Sequence, residues 1–154
     1  MTDRLMDMIA TAIGREEEAY DFYMELRDKV ADDEAQEALQ WMANEELKHR
    51  NFLVKYRDGD LARNAMGMSD VTYYRIAEYQ KEPPISEQMS PQDVFLVAAH
   101  RELKSHHFYS ELAELHPGGE VKDILLKMAN EELKHKEKME YLYANTAFTQ
   151  TSGG

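Results

Sequence analysis

The octapeptide MANEELKH occurs twice in the chain, at 42–49 and again at 128–135, 86 positions apart. At the same offset AIGREEEAYDFYMEL (12–26) aligns with AAHRELKSHHFYSEL (98–112). A duplication on this scale restricts the fold to two like units. Each unit holds two stretches whose apolar residues recur at alternating spacings of three and four, the signature of amphipathic helices.

The first stretch carries Leu5, Ile9, Ala12, Ala19, Leu26 and Val30. The second runs from Asp33, a plausible N-cap with Gln36 three residues on, to about Asp58, through Leu39, Met42, Leu53 and Tyr56. The third opens at Ser90-Pro91, a capping residue followed by a proline suited to the first helical position. Its stripe is Phe95, Ala98, Ser105, Leu112 and Leu115, and HPGGE (116–120) ends it. The fourth follows from about Glu120, with Val121, Leu125, Met128, Met139 and Leu142. TQTSGG (149–154) shows no periodicity and reads as a terminus.

Short joints near 31–33 and 117–119 imply antiparallel hairpins. The expected architecture is an all-α four-helix bundle over 1–149, with hairpins at about 2–58 and 91–149 and a tail at 150–154. The crossover, 59–90, has room for a short helix over Asp70–Gln80 and is long enough to run the length of the bundle. The hairpins then enter from opposite ends.

The stripes have gaps, and polar residues fill them. The three–four rhythm selects Glu16 and Tyr23 in the first helix and Glu46 and His49 in the second. It selects Glu102 and Tyr109 in the third, and Glu132 and His135 in the fourth. Glu16 and Glu46 are each 15 residues from Ala31, and Glu102 and Glu132 each 15 from Pro117, so each pair shares one level. Packed head to tail, four carboxylates and two imidazoles converge at mid-bundle. Four ionised carboxylates cannot be buried together uncompensated, because each costs several kcal/mol even after relaxation. No lysine or arginine lies on these stripes, so two divalent cations are the expected compensation. Carboxylates with one imidazole per half suit iron or manganese, and zinc less selectively. Glu-x-x-His serves because residues three apart share a helix face.

These residues resemble the ferritin-like di-iron carboxylate proteins, and within them the rubrerythrins. The resemblance rests on Glu16-x6-Tyr23, Glu46-x-x-His49, Glu102-x6-Tyr109 and Glu132-x-x-His135, and it covers all four helices. It implies a ferritin-like fold with two iron ions. Glu46 and Glu132 would bridge or chelate the metals, Glu16 and Glu102 would act as terminal carboxylates, and His49 and His135 would ligate one ion each. Tyr23 and Tyr109 would hydrogen-bond the carboxylates. It also implies reaction with hydrogen peroxide or dioxygen, and a homodimer. Two features depart from the family. The cysteine iron site of rubrerythrins has no counterpart in a chain with no cysteine, so an external electron donor such as a rubredoxin is implied. The extra glutamate that rubrerythrins place three residues after the third-helix ligand is here Ser105. The alternatives to a peroxidase or oxidase are an iron-handling protein that binds and oxidises iron(II), and a metal-clipped bundle without turnover.

A formal charge of −12 argues against nucleic acid or an anionic membrane as partner. The absence of cysteine excludes disulfides and thiolate sites. The acidic N-terminal stretch lacks the basic start of a signal peptide, and a cytoplasmic location is expected. His100, His106, His107 and His116 have no counterparts in the first half and are expected at the surface. Trp41 lies off the stripe, a position suited to a subunit contact.

Overall fold

The computed structural model describes residues 3–59, 75–86 and 88–152, with side chains described as far as residue 146. Five helices are found there, α1 (Asp3–Lys29), α2 (Asp33–Arg57), α3 (Ile76–Tyr79), α4 (Pro91–Glu114) and α5 (Glu120–Ser152). No strand occurs among the described residues, and the fold is consistent with a ferritin-like helical bundle. None of the described helices is long and apolar enough to cross a membrane. The chain divides into two compact units, Met1–Met66 and Gly67–Gly154.

In the first unit α1 and α2 form a hairpin. Ile9, Ala12, Ile13, Tyr23 and Leu26 are buried on α1, and Ala35, Ala38, Leu39, Met42, Ala43 and Leu53 on α2. The turn is set by Asp32 rather than Asp33. Asp32 is extended (φ −77°, ψ 128°), and its carboxylate accepts from the Ala35 amide at 2.9 Å. Two adjacent aspartates gave sequence reasoning no means to choose. Gln36 does not reach back to the cap, because its Nε2 donates to the Val30 carbonyl at 2.7 Å and ties the two helices. Arg27 Nη1 donates to Gln40 Oε1 across the hairpin. Gly59, at φ 80°, ends α2 in the left-handed conformation that glycine tolerates.

The second unit pairs α4 with α5. Ser90 caps α4 as expected, its Oγ accepting from the Asp93 amide at 3.2 Å, and Pro91 opens the helix. Val94 to Ala99 are all buried, so the first turns of α4 are enclosed on every side. Leu115, placed on the stripe from sequence, is instead exposed and Ala113 is buried. Leu115 stands at the C-cap, one residue past the end of α4, where the helical stripe no longer applies. Gly118 (φ 140°) and Gly119 (φ 96°) reverse the chain into α5.

Two boundaries differ from expectation. Arg75 is left-handed (φ 58°), so the described crossover helix spans only Ile76–Tyr79, and the part expected over 70–74 lies outside the described residues. α5 continues to Ser152, past the expected end at 149. Nothing before the final glycines breaks a helix, and each added residue gains a hydrogen bond without a new nucleation cost.

Candidate metal centre

All six proposed ligands are buried. In the first unit Glu16 is 3% exposed, Glu46 1% and His49 4%. Glu16 comes from mid-α1, while Glu46 and His49 lie one turn apart on α2, so both point to the same face. The His49 Nδ1 is 3.8 Å from Glu16 Oε1 and 3.9 Å from Glu46 Oε2. In the second unit Glu102 of α4 and Glu132 and His135 of α5 are buried to the same degree. His135 Nδ1 is 3.7 Å from Glu102 Oε2.

These separations suit a shared cation. Two donor atoms each about 2.1 Å from one ion stand roughly 3–4 Å apart. Direct hydrogen bonds would bring them closer, to about 2.7–3.2 Å. The donor set of carboxylates and imidazole is also the one that borderline divalent metals take. The electrostatics of Glu16 agree. Its carboxyl is pushed up to about 8, first by burial, then by the charge of Glu46 and a hydrogen bond with Glu46, with His49 offsetting part. Two buried acids side by side hold a proton between them when no cation is there to offset their charge.

Tyr23 and Tyr109 are each 1% exposed. Each meets the preceding phenylalanine edge-on, Phe22 at 5.6 Å and 75°, Phe108 at 5.2 Å and 78° between ring centroids and planes. Glu45 and Glu131 lie off the ligand face and pair with Lys48 (3.7 Å) and Lys134 (2.9 Å). Three of the remaining histidines donate to backbone carbonyls: His100 to Gln80 (2.7 Å), His106 to Ala129 (2.8 Å) and His116 to Leu112 (2.9 Å). His106 is half-buried rather than a plain surface residue.

Sequence reasoning missed a second buried polar group. Lys136 and Glu140 are 2% and 0% exposed. Lys136 Nζ is 2.8 Å from both Glu140 Oε1 and Glu78 Oε1. Glu140 Oε2 accepts from the Ile76 amide at 2.5 Å and the Ala77 amide at 2.8 Å, capping α3. Lys136 follows His135 directly and so sits about 100° off the ligand stripe, where a lysine reads as solvated. The one available signal was Glu140 standing where the first half has Val54. The first unit also has a cleft of about 180 Å³ beside Glu16, lined by Glu16, Glu17, Tyr20, Asp21, Leu47 and Arg50.

Residues 7–74 match the family model of rubrerythrin. The matched span contains Glu16, Glu46 and His49. No curated protein and no solved structure matches the chain.

Proposed function

Taking as premise a rubrerythrin-family segment over residues 7–74, consistent with a ferritin-like di-iron carboxylate protein, we propose that the chain is a dinuclear non-haem iron protein that reacts with peroxide or dioxygen. The observation that carries this reading is the duplicated, buried set of one glutamate from the preceding helix with Glu-x-x-His, present in both halves. Glu46 and Glu132 would bridge or chelate the metals, Glu16 and Glu102 would act as terminal carboxylates, and His49 and His135 would hold one ion each. Iron bound there supplies one-electron redox changes that, summed over two ions, match the two-electron reduction of peroxide to water.

The protein's own residues do the rest. Glu16, which keeps a proton near neutral pH when no metal is present, gives it up on loading, so loading is favoured as pH rises. Met42 and Met128, fully buried one helical turn before Glu46 and Glu132, shield those two carboxylates from bulk water. Tyr23 and Tyr109 orient the carboxylates through hydrogen bonds. Electrons come from an external donor such as a rubredoxin, and the working unit is a homodimer.

Ser105 favours a second reading, an iron-handling protein that binds, oxidises and passes on iron(II). Rubrerythrins have a ligand glutamate there, and its absence removes one route for metal rearrangement during turnover. Anaerobic iron(II) loading, followed by peroxide or dioxygen with optical detection, separates the two. Sustained consumption with a reductant supports the enzyme; a single oxidation stoichiometric with iron supports handling. Binding of less than about one iron per chain would reject the dinuclear centre.

A further inference from the structure

The ligands repeat between the two halves, but the residues beside Glu16 do not. The cleft at that point has Glu16 in its wall, with Glu17 and Asp21 on the same helix and Leu47 and Arg50 on α2. Glu17 and Asp21 are exposed and lie four residues apart, so they share one face of α1. Glu16 is buried, so carboxylates run from solvent to a proposed ligand. Tyr20 stands between them, half-buried. The one basic group in the lining is Arg50, partly exposed and 3.7 Å from Glu17 Oε1. The space is roomy enough for a cation keeping part of its water shell.

The second half provides an internal control. Glu17 and Asp21 align with Leu103 and His107, and Arg50 aligns with Lys136, which is buried in ion pairs of its own. The acidic lining therefore belongs to the first hairpin alone, although the ligands belong to both. Resting on the metal centre proposed above, we propose that this cleft is the entry route for divalent cations, with Glu17 and Asp21 drawing the ion in and Glu16 receiving it. Carboxylates at the mouth raise the local cation concentration, an effect that acts on the rate and weakens with salt.

The test uses the full metal-free chain and cobalt(II), whose uptake is followed by stopped-flow absorbance. Glu17→Gln with Asp21→Asn is expected to slow loading about tenfold at low ionic strength and to flatten its salt dependence, with the final stoichiometry unchanged. Leu47→Trp, which fills the cleft without altering charge, is expected to slow loading at every salt concentration. Glu111→Gln with Glu114→Gln, a matched charge change at exposed positions of α4, is expected to leave the rate unaltered. Full cobalt binding with unchanged rates in the cleft variants overturns the entry route and leaves the metal centre standing. A wild-type chain that takes up no cobalt overturns both.

Discussion

Hairpin one and hairpin two bury the same ligand-type residues at an offset of 86, yet one residue beyond the histidine they diverge. After His49 comes Arg50, partly exposed and 3.7 Å from Glu17. After His135 comes Lys136, sealed from solvent between Glu140 and Glu78. Four residues further on, Val54 on α2 answers to Glu140 on α5. Among the described residues, the crossover helix α3 packs against the second of these surfaces. Glu140 caps that helix and Lys136 neutralises the cap, so a charge pair became buried where the crossover lies. In hairpin one the equivalent ground stayed open as a cleft. The buried carboxylates and imidazoles are alike in the two halves, while their surroundings differ with what each half is packed against.

The largest test of the comparison asks whether the halves are equal where they look equal. Glu46→Ala with Glu132→Ala should abolish reactivity towards oxidant and reduce bound iron from about two ions per chain to below one, read by metal analysis after anaerobic loading. Retained turnover in that variant would break the equivalence and the site together. The next asks whether they are unequal where they look unequal. Glu140→Ala removes the buried one of Lys136's two partners and the cap of α3 together, and should destabilise the fold by about 3 kcal/mol in denaturant titration. Arg50→Met should change stability by less than about 1 kcal/mol, because its ion pair is solvent-screened. Equal losses would mean that burial of Lys136 has no energetic weight.

A third prediction concerns pH. In the metal-free fold Glu16 binds a proton up to about pH 8, whereas an unfolded glutamate releases it near 4.5. Between those values the native state binds more protons than the unfolded one, so stability must fall as pH rises through the window. Thermal melts of the metal-free chain should show this decline, and Glu16→Gln should flatten it. A slope unchanged in the variant would remove Glu16 as its source. The smallest effect compares the two caps. Asp32→Ala and Ser90→Ala should each cost about 1 kcal/mol, since each side chain accepts one otherwise unsatisfied amide. A clear difference between them would show that one turn depends on its cap more than the other.

The burial of Glu16, Glu46, His49, Glu102, Glu132 and His135 was legible because two independent periodicities agreed. Helical spacing picked Glu46 over Glu45, and the repeat picked the same register again at Glu132. The residues found at these positions are buried as that reading requires. The cap at Asp32 was ambiguous because both neighbours are aspartate, and only backbone geometry separates them. Leu115 was misplaced because α4 stops one residue before it, and the turn that ends it is set by the glycines beyond. Lys136 and Glu140 were invisible for a different reason. Their burial depends on a helix more than fifty residues away in sequence, and nothing local to KHKEKME announces that partner. Solvation was the only reading that local pattern allowed.

The pairing of Lys136 and Glu140 bears on how freely α5 can turn about its own axis. Its ligand residues point one way and Lys136 points about 100° away, so the helix is gripped on two sides at once. Any roll that shifted Glu132 or His135 would pull a buried ammonium from two carboxylates and uncap α3. At the equivalent positions of α2 no buried ion pair is found among the described residues, because Arg50 is partly exposed and Val54 is apolar. A roll of α5 therefore breaks a buried ion pair and a helix cap, a cost that its counterpart in the first hairpin does not carry.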